Sequence, residues 1–265
     1  MKKHLIWAAA SAALLASCAK EETQTFTPAA TDLPQASITF VAEENADFTR
    51  AFFDNTTTTE AWEQSLSSLT VFCFEEGALV VRRNFTSAEL SSRRSTFALP
   101  RSTAGKSIEF YALANAAVDE NITTKTALLA LTEETPGSYN GTFANVSSKA
   151  LRSGGFLMSG TATKSIGAAG TTTEVAITLR RDVAKVAVQA SLSPAFADKY
   201  PGTVRITSVK LSRSAMQTPY FGGTPKTGAM TFTHTQTPGE TSGRFNALFY
   251  CFENAALASV SRVLL

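Results

Sequence analysis

Beyond residue 35 this chain is a succession of short alternating or apolar runs separated by turn signals, and no other feature limits its possible folds so strongly. Ser37-Ile38-Thr39-Phe40-Val41-Ala42 alternates as a half-buried strand does, with Ile38, Phe40 and Ala42 on one face and Val41 on the other. Residues 66–74 form a stronger run, Glu75-Glu76-Gly77 is a turn, and 78–81 begins a return strand, so a hairpin is expected. Residues 95–99 are a short strand stopped by Pro100, and 107–115 is apolar enough to be a central strand covered on both faces. Glycines bracket the apolar segment 154–160, and strands 175–179 and 183–188 flank Arg180-Arg181-Asp182. Further strands are expected at 203–206, 208–211 and 247–252, the last after a Gly/Pro/Thr-rich connection over 218–243. Only 124–134, with Leu128, Leu129 and Leu131, suggests a short helix. Many short strands with turns between them, and no internal repeat, imply an all-β sandwich architecture.

Composition narrows the class. The 265 residues are 44% hydrophobic, enough for a real core in one large or two small domains. Only 17% are charged and the formal net charge is +2, which argues against disorder and against a nucleic-acid partner. Cys73 and Cys251 sit inside apolar runs with no CxxC spacing, so they are expected to be small buried hydrophobes; a disulfide between them stays open.

The first residues describe export. Lys2, Lys3 and His4 precede an apolar run over 5–15 that is too short to span a bilayer as a mature helix. Leu15-Ala16-Ser17-Cys18 then matches the lipobox of bacterial lipoproteins. That resemblance implies cleavage before Cys18 and acylation of its thiol and new amine, palmitate being among the expected chains. At about 0.8 kcal/mol per buried methylene, two or three chains anchor firmly. Residues 1–17 are therefore expected to be a signal peptide and 18–35, polar with Pro28 and Pro34, a flexible tether.

Chemistry is hard to find. Pro100-Arg101-Ser102-Thr103-Ala104-Gly105-Lys106-Ser107 imitates a phosphate-binding loop, but proline replaces the first glycine and the strand follows the motif instead of preceding it. Once the leader is removed His234 is the only histidine; flanked by threonines, it is expected to be an exposed loop residue. Glu75-Glu76, Arg82-Arg83 and Glu133-Glu134 are expected to be solvated charges. No catalytic residue, metal ligand set or cofactor site is assigned, and the chain is not expected to be an enzyme.

Several landmarks in order resemble the fimbrillin family, the lipoprotein pilins of type V pili. They are Phe48-Thr49-Arg50-Ala51 after the first strand, Thr70-Val71-Phe72-Cys73-Phe74-Glu75-Glu76-Gly77, Phe110-Tyr111-Ala112-Leu113-Ala114-Asn115, Met158-Ser159-Gly160, Leu179-Arg180-Arg181-Asp182-Val183-Ala184-Lys185-Val186 and Phe249-Tyr250-Cys251-Phe252-Glu253-Asn254. The resemblance implies two transthyretin-like β-sandwich domains, here 36–180 and a partial 181–265. It also implies that an arginine-specific protease cuts between Arg50 and Ala51 and removes the strand carrying Ile38, Phe40, Val41 and Ala42. A neighbouring subunit's strand would then fill the vacated groove by β-augmentation. Four to six buried side chains would contribute on the order of 10 kcal/mol. The partners implied are other pilus subunits and the outer membrane, reached through the lipid, and the location is the cell surface and the fimbrium. Arg50 has a plainer alternative as an exposed loop arginine. The second domain is shorter than the family implies, which leaves two expectations, a truncated pilin or an accessory subunit. Two further functions stand beside the subunit: a pilus anchor that keeps its lipid and first strand, and a surface glycan-binding lipoprotein, which would need an aromatic platform beyond Trp62.

Overall fold

The computed structural model describes residues 32–42, 60–134, 136–191, 193–199, 205–223, 230–235, 244–253 and 262–264. All of them belong to one compact unit, Thr31–Leu265. Cys18, Arg50 and Ala51 lie outside the described residues.

The fold is all-β. Its strands are β1 (Gln35–Ala42), β2 (Leu69–Glu75), β3 (Ala78–Asn84), β4 (Arg94–Ala98), β5 (Ser107–Ala114), β6 (Thr132–Glu133), β7 (Met158–Ser165), β8 (Thr172–Arg181), β9 (Val183–Ser191), β10 (Ser208–Ser214), β11 (Thr218–Pro219), β12 (Met230–Thr235), β13 (Arg244–Phe252) and β14 (Arg262–Leu264). Short helices α1 (Ser87–Ser92), α2 (Lys125–Leu129), α3 (Phe143–Val146) and α4 (Pro194–Lys199) punctuate them.

The first strands form one ladder in the order β3-β2-β5-β7-β8-β1-β4. It folds back on itself at β7–β8, where only Met158–Arg181 and Ser159–Arg180 pair before the two strands part. β7 then follows β5, while β8 follows β1. The inner faces of the two halves share one core: Ile38 and Phe40 of β1 and Val175, Ile177 and Leu179 of β8 meet Val71 and Cys73 of β2 and Ile108 and Phe110 of β5. This is a sandwich closed at one corner. Gly160 makes the corner possible, because a Cβ there would lie 2.3 Å from the Thr178 carbonyl oxygen.

Local chemistry sets the turns. Glu76 and Gly77 both take positive φ (49° and 85°), the conformation of a two-residue hairpin turn that matches strand twist. Thr86 caps α1, and Glu89 reaches back to the Thr86 N–H. Asn115 ends β5 at φ 61°; its amide donates to the carbonyls of Ser65 and Phe156 and its Oδ1 accepts from the Ser67 N–H. The Ala-Asn strand ending is thus a left-handed residue that stitches three segments together.

A second group of strands pairs among itself, β9 with β13 over nine residue pairs and β10 with β12 and β14. Alternate residues of β13 enter different cores. Phe245, Ala247, Phe249 and Cys251 pack with Val209, Leu211 and Phe232, while Leu248, Tyr250 and Phe252 pack with Tyr139, Phe156 and Trp62. Burial on both faces explains why this run is apolar throughout.

Several expectations change. Strand pairing continues past 247–252, since β14 pairs with β10. Residues 205–207 are not strand, and 203–204 lie outside the described residues. The helix expected over 124–134 is confined to α2 and gives way to β6, which pairs with β11. The connection over 218–243 contains a real strand, β12, and His234 within it is 4% exposed. Its neighbours Thr231, Thr233 and Thr235 take the solvent face, while Phe232 and His234 take the core face. The imidazole lies tilted against the Phe249 ring at 4.6 Å and its Nε2–H donates to the Leu248 carbonyl at 2.6 Å, while burial lowers its pKa. Glu133 is buried against Arg152, whose Nε and Nη2 donate to Oε2 at 3.0 and 2.8 Å. Cys73 and Cys251 are both buried, free thiols in separate cores.

Candidate functional site

The sequence directs attention to β1. The strand lies inside its sheet, antiparallel to β4 and parallel to β8, in registers running from Gln35–Ala98 to Thr39–Arg94 and from Gln35–Thr172 to Ala42–Leu179. Ala36 and Ile38 are fully buried and Phe40 is 1% exposed. The Phe40 ring meets Phe85 edge-on at 5.5 Å. Val41, on the opposite face, is 54% exposed, and Ala42 closes the strand beside Leu179. Among the described side chains of β1, Ala36, Ile38 and Phe40 supply the apolar grip.

The residues before β1 are engaged as well. Gly170 N–H donates to the Leu33 carbonyl at 3.2 Å, Leu99 N–H to the Pro34 carbonyl at 2.8 Å, and Gln35 N–H to the Thr171 carbonyl at 2.9 Å. The body thus holds backbone that falls within the span expected to be tether.

An ion pair crosses the outer face of β1. Arg94 of β4 donates from Nη2 to Glu174 of β8 at 2.8 Å, and from Nε to Ser37 Oγ at 3.0 Å. Ser37 below this bridge is fully buried. Sequence reasoning missed both charged residues; they lie on strands 80 residues apart, and only the fold brings them together across β1.

A second cluster holds the chain where it is next described. Glu63, in a 3-10 turn at Ala61–Gln64, is fully buried. Arg181 Nη1 donates to its Oε2 at 2.9 Å, Lys185 Nζ lies 2.8 Å from its Oε1, and the Tyr250 hydroxyl donates to the same oxygen. Burial alone pushes the Glu63 carboxyl up, but the hydrogen bonds from Lys185 and Tyr250 and the charges of Lys185 and Arg181 outweigh it and hold the pKa low. Nearby, burial raises Asp182 to about 8, against a hydrogen bond from Ser159 at 3.4 Å. Arg181, Asp182 and Lys185 come from the junction motif noted in the sequence, which supplies the cations for Glu63.

These groups are internal, and both oxygens of the Glu63 carboxylate are engaged. Among the described residues no cluster of three or more His, Cys, Asp or Glu side chains is placed to hold a metal ion, and no helix is long and apolar enough to cross a membrane. Trp62 is half-buried, 5.7 Å from Phe156 and 6.4 Å from Tyr250, so it serves the core and is no displayed platform. What the arrangement can do is bind a strand: it offers two ladder edges, an apolar trough and a bridge above.

Comparison with known proteins agrees with this geometry. The family described as fimbrillin-A associated anchor proteins Mfa1 and Mfa2 matches residues 37–256. A candidate cell-adhesion protein of Parabacteroides distasonis has a similar structure, with TM-score 0.59 and 14% identity over 89% of this chain and 75% of that one. A candidate cell-adhesion protein of Bacteroides eggerthii gives 0.51 and 15% over 87% and 73%. A fimbrilin of Porphyromonas gingivalis gives 0.50 and 14% over 87% and 69%. At these identities the structures establish a shared fold. A sequence comparison with curated proteins finds no match.

Proposed function

This chain belongs to the family of fimbrillin-A associated anchor proteins, and from that premise we propose that it is a structural, non-catalytic subunit of a cell-surface pilus joined to its neighbours by exchange of β1. The observation that carries the reading is the placement of β1, whose inward side chains are 0–1% exposed between β4 and β8. Burying Ile38 and Phe40 contributes about 3–6 kcal/mol, and backbone pairing on both edges adds to it. That is less than the ~10 kcal/mol a larger apolar face would supply, so ladder hydrogen bonds carry more of the hold. In this reading Cys18 bears the lipid that brings the chain to the outer membrane, an arginine-specific protease cuts between Arg50 and Ala51, and the chain supports adhesion. Two sandwich domains meeting near residue 180 belong to the same proposal; the self-contained pairing of β9, β10, β12, β13 and β14 supports it.

The family's description favours a second reading, an anchor that keeps both its lipid and β1. One experiment separates them. The full-length chain, isolated from outer membranes, is treated with an arginine-specific protease and its fragments are weighed by mass spectrometry. A single cut after Arg50 with appearance of multimers supports the subunit; a chain that stays whole and monomeric overturns it in favour of the anchor. Palmitate labelling of the wild type but not of Cys18→Ala is expected under both.

A further inference from the structure

The slot around β1 is shaped on both faces. Its two flanking strands each contribute half of the ion pair that passes over it: Arg94 pairs with Thr39 in the ladder, Glu174 with Ser37, and the guanidinium reaches back over Ser37 to make the bond. Both charged side chains are more than half exposed (53% and 62%), yet Ser37 beneath them is fully buried. A side chain larger than serine at that place would push the Arg94 guanidinium away from Ser37 and Glu174 together. On the inner face the occupied space grows along the strand, from Ala36 through Ile38 to Phe40, which ends against Phe85. The slot also has a direction, since its occupant runs parallel to β8 and antiparallel to β4. A reversed occupant would set an aromatic ring where alanine now sits.

We propose that this slot selects its occupant by a four-position pattern: a small residue, a small hydroxyl residue beneath the Arg94–Glu174 bridge, a β-branched residue and, two positions on, an aromatic one, entering parallel to β8. The proposal rests on the strand-exchange reading, and the occupant it names is an extended segment of another subunit bearing that pattern. Side-chain pockets at alternate positions give β-augmentation its specificity, and the bridge adds one position on the opposite face.

The test uses the full-length chain with a protease site inserted after Asn45, cut while β1 is in place. Fluorescent peptides with the sequence of residues 35–42 compete for the slot, and anisotropy reads their entry. The native sequence enters. A peptide with leucine at the Ser37 position binds up to ~5-fold more weakly, and Arg94→Ala in the protein restores it to within ~2-fold. Alanine at the Phe40 position costs ~100-fold or more, and a reversed peptide does not enter. Leucine tolerated in the wild type, or excluded equally by the Arg94→Ala protein, overturns the selection rule. Entry of no peptide, the native one included, overturns strand exchange instead. The bridge is then judged in the intact chain: Ser37→Leu lowers the melting temperature and Arg94→Ala recovers most of the loss, whereas no recovery refutes the bridge as a selector.

Discussion

Replacing Phe40 by alanine removes the largest side chain that β1 places in the core. The ring is 1% exposed and shares a cluster with Phe85 and with the free thiol of Cys73. Truncating a buried phenylalanine costs about 3–5 kcal/mol, of which the edge-on pair with Phe85 accounts for ~1 kcal/mol. Cys73 supplies the probe. Burial pushes its thiol up to about 12, so it reacts with an alkylating reagent only when that cluster opens. When reclosing is fast, labelling follows the open population. The cost then converts to a roughly 150- to 5,000-fold faster modification of Cys73. Peptide-resolved mass spectrometry of the full-length protein in native buffer measures it. Val41→Ala is the control on the same strand; at 54% exposure it should change the rate less than ~3-fold. Cys251, in the core of β10, β12 and β13, is the control on the rest of the chain. A change below ~10-fold in Phe40→Ala, or an equal effect from Val41→Ala, refutes the apolar grip on β1. An equal rise at Cys251 refutes the idea that β1 leaves without opening the second group of strands.

Three further outcomes concern Glu63, Asp182 and Gly160. Glu63→Gln leaves Arg181 and Lys185 without their counter-charge and should lower unfolding free energy in urea by about 3–5 kcal/mol; a loss under ~1 kcal/mol contradicts the clamp. Asp182 has a folded-state pKa raised to about 8, so the native state holds its proton longer than the unfolded chain, and its contribution is withdrawn as pH rises from about 4 to about 8. The slope is ~1.4 kcal/mol per pH unit, and Asp182→Asn should flatten it in thermal melts across that range; an unchanged slope rejects the assignment. Gly160→Ala forces a methyl toward the Thr178 carbonyl oxygen and should cost about 1–3 kcal/mol, several degrees in melting temperature, whereas an unchanged melt shows that the β7–β8 corner can yield.

Local pattern carried the sequence reading where the chemistry was local. The alternation of Ile38 and Phe40 and the Glu76-Gly77 turn were visible because side-chain period and positive φ are properties of neighbours. His234 carried the same signal in Thr231-Phe232-Thr233-His234-Thr235, but the surrounding Gly, Pro and Thr outweighed it. Other features had no local signature. The parallel pairing of β1 with β8 joins residues 137 apart, as Gln35 and Thr172 are. Glu63 meets Tyr250 across 187 positions, and nothing around Glu63 distinguishes it from a solvated acid. The junction motif was recognisable as a string, while the purpose of its cations depended on a carboxylate more than a hundred residues upstream.

The two described flanks of residues 43–59 are held by different kinds of interaction, and this difference is what strand exchange needs. β1 is held by backbone ladders and by inward side chains, Ala36, Ile38 and Phe40 among them, beneath an ion pair of its two neighbours; under the proposal an incoming strand of suitable pattern would take over the ladders and the inward contacts under the same bridge. A surface pair such as Arg94–Glu174 contributes ~0–1 kcal/mol, so it shapes the slot more than it locks it. Glu60–Gln64 is held by a capping box and a fully buried carboxylate that satisfies Arg181, Lys185 and Tyr250. Removing that carboxylate strands two cations, and an incoming strand in the β1 slot offers no substitute. In the proposed exchange the chain after the cut would keep this clamp, and the strand before it would be the part replaced. If the clamp and the slot are independent in this way, Glu63→Gln will lower global stability without altering which peptides the nicked slot accepts.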